Sequence, residues 1–141
     1  MSLHSILIVD DEKHISAALK RELEEEGYVI STVSSAEEAL ALLHDSPSKV
    51  VISDIKMPGM NGLELLQQVK KSYPEVIRIV LSGHSDIKLI LDSVNRYGID
   101  RYLTKPWDID DLKLTLRQSF ELFDLRREVH ELRKKVRKST K

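Results

Sequence analysis

The sequence contains no cysteine, which excludes a disulfide framework, a thiolate nucleophile and a Cys-ligated zinc site. It also lacks any run of 18 apolar residues, so a membrane-spanning helix is excluded. The early run Ile6-Leu7-Ile8-Val9 is too short for a signal-peptide core, and acidic residues follow it at once. Neither a G-x-x-x-x-G-K-[ST] loop nor a G-x-G-x-x-G turn is present, which argues against a nucleotide-binding module. There is no internal repeat and no flexible linker. What is there, 41% hydrophobic and 32% charged residues over 141 positions, describes an ordered domain with its own core. The expectation is one soluble, cytoplasmic domain with a little chain to spare.

The net charge of −1 conceals an asymmetry. Residues 126–141 hold eight Lys/Arg and two Glu, a net of +6, so residues 1–125 carry −7. A basic tail can touch nucleic acid or an acidic membrane surface. No aromatic residue follows Phe123 to stack on bases, however, so a solvated helix end is the preferred reading.

Two hydrophobic periods alternate along the chain. Strand-like runs cover 5–9, 28–33, 50–53, 76–81 and 101–103. Between them lie stripes at helical spacing: Ile15, Ala18, Leu19 and Leu23; Ala36, Ala39, Leu40 and Leu43; Gly62, Leu65, Leu66 and Val69; Ile87, Ile90, Leu91 and Val94. Ser35 with Glu38 forms a capping box, Gly27 and Gly98 suit left-handed helix ends, and Pro74 stops the third helix. Five strand–helix units in series predict a parallel sheet covered by helices on both faces. The first, third and fourth strands are read as apolar and central, the second and fifth as edges. With right-handed crossovers the order 2-1-3-4-5 follows. This is a flavodoxin-like doubly wound α/β fold, with its switch point between the first and third strands.

The residues just past the strands carry the chemistry. Asp10 and Asp11 follow the first strand, Asp54 ends the third, Ser82 and Gly83 follow the fourth, and Lys105-Pro106 follows the fifth. Clustered carboxylates raise one another's pKa unless a cation joins them, and a hard divalent ion such as Mg²⁺ serves. A metal, a lysine and a hydroxyl around a free carboxylate suit a phosphoryl group, which that carboxylate can accept as an aspartyl-phosphate. The plainer alternative is that Asp10 or Asp11 only caps the next helix and Lys105 is a surface lysine.

The segments ILIVDDE (6–12), VVISDIKMPGMNGLELL (50–66), IVLSGHSD (79–86) and DRYLTKPWD (100–108) together resemble the receiver domain of two-component response regulators over nearly the first 120 residues. The resemblance implies that Asp54 accepts the phosphoryl group and that Asp10 and Asp11 hold Mg²⁺, with Asp11 preferred as direct ligand. It implies that the backbone carbonyl of Lys56 completes the metal shell. Ser82 and Tyr102 match the switch pair, and Lys105 the lysine that pairs with the phosphoryl group. It further implies a cis Lys105–Pro106 bond, tuning of dephosphorylation by Lys56 and His84, and a sensor histidine kinase or phosphotransfer protein as partner. Met57-Pro58-Gly59 is explained by turn chemistry alone. Such a chain is a phosphoacceptor with weak autophosphorylation and autodephosphorylation rather than an enzyme. A hydrogen bond to a charged group contributes about 1.5–3 kcal/mol, against about 5.5 kcal/mol for a full two-state switch, so partial activity without phosphate is expected. An Asp-nucleophile phosphatase is the poorer alternative, because Asp10-Asp11-Glu12 and Asp54-Ile55-Lys56 do not give its DxD pattern.

The receiver is expected over residues 4–121 and a helical extension over 122–141. Leu122, Leu125, Val129, Leu132 and Val136 are spaced as a and d positions of a parallel two-stranded coiled coil, with Leu122 taken as clear of the sheet. Glu121 and Glu128 fall at g, facing Arg126 and Arg133 at e across a homodimer. The extension is read as a dimer stalk or a linker to an output domain, and a stand-alone adaptor receiver is the alternative. Neither membrane nor nucleic acid is expected as a partner of this chain.

Overall fold

The computed structural model describes residues 4–83, 86, 88, 92 and 96–139. Its strands are β1 (Ser5–Val9), β2 (Val29–Val33), β3 (Val50–Asp54), β4 (Ile77–Ser82) and β5 (Arg101–Thr104). They form one parallel sheet in the order β2-β1-β3-β4-β5, the topology expected from the sequence. Helices α1 (Lys13–Glu24), α2 (Ala36–Asp45) and α3 (Gly62–Ser72) alternate with the strands, and a C-terminal helix runs unbroken over Ile109–Ser139. His84 and the expected stripe Ile87, Ile90, Leu91 and Val94 lie outside the described residues.

Alternation along the strands builds two cores. Leu7, Val9 and Val51 face α2 and α3, while Ile6, Ile8, Val50 and Ile52 face α1 and the C-terminal helix. β1, β3 and β4 are buried along nearly their whole length, as strands covered on both faces must be. β2 and β5 are largely exposed edges. One residue breaks the apolar reading of β4. Arg78 is only 5% exposed, and its guanidinium is held by the carbonyls of Pro74, Val76 and Gly98.

The local signals act largely as expected. Ser35 caps α2 by accepting from the Glu38 N–H at 3.1 Å. The reciprocal arm is shifted by one residue, since Glu38 accepts from the N–H and hydroxyl of Ser34 rather than from Ser35. Gly27 and Gly98 have φ of 85° and 70°, and α3 ends at Ser72, two residues before Pro74.

The C-terminal helix leaves the body later than the spacing suggested. Leu122 packs against the core formed with Phe120 and Phe123, so it is not part of a free stripe. Arg126 is hydrogen-bonded to Asp100 in the same chain rather than being left for a partner. Past Phe123, Leu125, Val129, Leu132 and Val136 are exposed. His130 Nδ1 still lies 3.8 Å from Glu75 Oε1, so side-chain contact with the body persists to that point.

Candidate functional site

The carboxyl ends of β1, β3, β4 and β5 meet at one rim because parallel strands all point their C-termini the same way. Register sets the spacing. Val9 pairs with Ser53, Asp54 with Leu81, and Ser82 with Thr104, so Asp10, Asp54, Ser82 and Lys105 arrive together. The Lys105 N–H donates to the Ser82 carbonyl at 2.7 Å, which ties the start of the final loop to the end of β4. The Lys105–Pro106 bond is cis.

Lys105 Nζ lies 3.3 Å from Asp10 Oδ2 and 3.3 Å from Asp54 Oδ1, with Glu12 Oε1 at 3.7 Å. Asp10 is almost wholly buried, and its Oδ1 accepts from the Glu12 N–H at 2.9 Å. Asp54 Oδ1 accepts from the Ile55 N–H at 2.9 Å. Burial raises the pKa of both acids, and the charge of Asp10 raises that of Asp54 further, while Lys105 opposes both shifts. For Lys105, burial alone pulls the pKa down, but the two carboxylates outweigh it and the net shift is upward. One ammonium thus faces three acids.

Two buried oxygens at this rim lack a hydrogen-bond partner: Asp10 Oδ2, which meets Lys105 only as an ion pair, and the hydroxyl of Ser82. Oxygens of Asp10, Glu12 and Asp54 all lie within 4.8 Å of one another. That donor set, hard, anionic and under-compensated, fits a divalent cation of the Mg²⁺ type. Asp11 is exposed and is not among the three acids brought together. Glu12 takes that place, and sequence reasoning missed it; its only signal was its position as the third acid in the run after β1.

The switch candidates differ in placement. Ser82 is fully buried, whereas Tyr102, on edge strand β5, is 49% exposed. Lys56 reaches outward to an ion pair with Asp86 at 3.6 Å. Asn61 caps α3 by accepting from the Glu64 N–H at 2.9 Å. Gly62 opens that helix directly against the end of β3, where a Cβ would overlap the Asp54 carbonyl oxygen. The small residue is therefore required for α3 to pack beneath Asp54.

The chain matches the family model for the response regulator receiver domain over residues 6–117. It is 45% identical, over 96% of its length, to the hydrogenase transcriptional regulatory protein HoxA of Cupriavidus necator, of which it covers 28%. It is 38% identical, over 92% of its length, to the nitrogen assimilation regulatory protein NtrX of Azorhizobium caulinodans, covering 29% of that protein. The chain therefore spans less than a third of these curated relatives. The crystal structure of the signal receiver domain of an HD domain-containing protein from Pseudomonas fluorescens Pf-5 superposes with a TM-score of 0.86 at 38% identity, covering 91% of this chain and 94% of that one. With the five-stranded order and the acidic rim already described, these matches establish that the chain belongs to the response regulator receiver domain family of two-component signalling.

Proposed function

We infer that Asp54 is the phosphoryl acceptor of this receiver, taking its group from a phosphohistidine on a sensor histidine kinase or phosphotransfer protein. The observation that carries the reading is Asp54 itself, a buried carboxylate 3.3 Å from the Lys105 ammonium. In the transfer an Asp54 Oδ atom forms the new bond to phosphorus as the P–N bond breaks, and the imidazole, protonated on its other ring nitrogen, takes the electron pair and leaves neutral. Lys105, already aimed at that oxygen, balances charge on the phosphoryl oxygens. Ser82 gains a partner for its unbonded hydroxyl, and Tyr102 follows it inward as the switch. Asp10 and Asp54, with Asp11 or Glu12 and the Lys56 carbonyl, would hold Mg²⁺, which neutralises the anionic oxygens when bound. The chain works as a phosphoacceptor with slow self-hydrolysis and not as a turnover enzyme.

The output lies elsewhere. Among the described residues no helix is long and apolar enough to cross a membrane. HoxA is a transcriptional regulatory protein by name, so control of transcription is the output favoured here, through a domain joined to the C-terminal helix. The HD-domain protein marks an effector of another kind as the rival. The exposed stripe Leu125, Val129, Leu132 and Val136 supports a homodimer through that helix, with Glu128 and Arg133 left as the charged pair of its flanks.

The test is incubation with a small phosphodonor and Mg²⁺, read by intact mass. Wild type should gain one phosphate and Asp54→Asn none. Equal labelling of the two would refute the assignment.

A further inference from the structure

The molecule holds a second buried charge cluster, at the opposite end of the sheet from the acidic rim. Asp100 sits just before β5, at a level where β4 has no strand partner on that side. Its carboxylate Oδ2 accepts from the backbone N–H of Arg78 at 2.8 Å, and the Asp100 N–H donates back to the Arg78 carbonyl at 2.8 Å. The same carboxylate accepts two hydrogen bonds from the Arg126 guanidinium, Nη1 at 3.2 Å and Nη2 at 2.5 Å. Such two-point pairing fixes angle as well as distance. The Arg78 guanidinium closes the group, with Nη2 3.5 Å from Asp100 and Nε donating to the Gly98 carbonyl at 2.5 Å. Asp100 and Arg78 side chains are both about a tenth exposed or less.

One aspartate therefore joins β4, the turn that leads into β5, and the C-terminal helix. Arg126 holds the helix where it leaves the body, with the longer contact of His130 Nδ1 and Glu75 Oε1, at 3.8 Å, one turn further on. Arg126 follows Phe123, the last buried residue of the helix, and precedes the all-exposed stretch Glu131–Lys138. Gly98 adds a steric constraint at the same turn, because a Cβ there would run into the side chain of Lys70 on α3.

We propose that the Arg78–Asp100–Arg126 cluster is a built-in junction that fixes the direction in which the C-terminal helix leaves the receiver, and so couples the turn before β5 to whatever the helix carries. Asp100 and Arg126 are positioning residues. They are far from the acceptor and do not take part in phosphoryl transfer. The proposal rests on the output reading above only in that the helix is the element carrying it. Without the junction, the helix is still helical and still packed through Leu112, Leu116 and Phe120, but its distal half loses its angular restraint.

The chain has no native cysteine, so two can be introduced cleanly for spin labels, at exposed Glu24 on α1 and at exposed Lys134. The distance distribution is measured by pulsed electron paramagnetic resonance, with excess unlabelled chain to suppress signals between copies. The wild-type distribution should be narrow. Arg126→Gln, which leaves Asp100 bound to Arg78, should at least double its width, and Asp100→Asn should do the same. Arg126→Lys should give an intermediate width, because an ammonium cannot pair at two points. Phosphate uptake at Asp54, read by mass, should be unchanged in Arg126→Gln. If Arg126→Gln keeps the wild-type width, the junction is refuted. A loss of phosphate uptake in Arg126→Gln would contradict its separation from the acceptor. Failure of wild type to take phosphate would instead count against the acceptor reading and leave the width comparison standing.

Discussion

The two ends of the sheet use the same ingredients, buried carboxylates and buried cations, and reach opposite results. At the carboxyl end three acids share one ammonium, both buried acids have raised pKa values, and two buried oxygens have no hydrogen-bond partner. At the amino end one carboxylate is shared by two guanidinium groups, with donors and acceptors matched between side chains and backbone. The first arrangement costs stability until something positive arrives. The second is complete in itself. Burial of charge by itself thus says little about role; the balance of partners separates a site from a strut.

Breaking the strut should have the largest effect on stability. Asp100→Ala leaves Arg78 buried without its counter-charge, and removing one partner of a buried pair costs about 3–5 kcal/mol. For a domain of this size that lowers the melting temperature by roughly 10 °C, measured by calorimetry. The matching change at the rim should have the opposite sign. Asp54→Asn removes a charge that burial and, after it, Asp10 disfavour more than Lys105 and the Ile55 N–H favour it, so the variant should melt higher than wild type in metal-free buffer.

The pH dependence sharpens the same contrast. Asp10 and Asp54 have folded pKa values above the ordinary carboxylate value, so over that window the native state binds more protons than the unfolded one. Stability should therefore fall as pH rises from about 4 through those raised values, and the slope should flatten in Asp54→Asn. Lys105 works the other way at high pH. Its raised pKa contributes stability that is full below the ordinary lysine value and is lost as pH rises through the folded one. Denaturant unfolding at a series of pH values reads both limbs.

Gly62→Ala is aimed at the end of β3. The added methyl meets the Asp54 backbone carbonyl, which cannot swing aside as a flexible side chain would, so the cost should reach or exceed the upper end of overpacking, about 3 kcal/mol. Phosphate uptake should slow as well, because the strand end must shift. Ser35→Ala, remote from both ends, should cost only about 1 kcal/mol through the lost cap on α2 and leave uptake unchanged.

Much of this was legible in the sequence where the signal is local. The strands, the order of the sheet, the caps, the glycine turns and the residues past each strand follow from period and position. The acidic rim followed too, except that Glu12 rather than Asp11 stands beside Asp10 and Asp54. Three acids in a row look alike until the backbone at the start of α1 decides which side chain reaches toward Asp54. The strut was invisible for a different reason. Arg78 interrupts an otherwise apolar strand, and its partners Asp100 and Arg126 lie 22 and 48 positions further on, so no periodicity joins them. The same long-range pairing explains why Arg126, well placed for a partner helix by its heptad position, is instead held within the chain.

The central claim is that the rim is left short of positive charge so that a cation and then a phosphoryl group can complete it. Thermal unfolding with and without Mg²⁺, in wild type and in the Asp10→Asn/Asp54→Asn double variant, tests it most directly. A ligand at 100 times its dissociation constant stabilises by about 2.7 kcal/mol, so wild type should melt several degrees higher with saturating Mg²⁺. The double variant should be the more stable protein without metal and should gain nothing from it. A wild type indifferent to Mg²⁺, or a double variant that gains as much as wild type, would contradict the account.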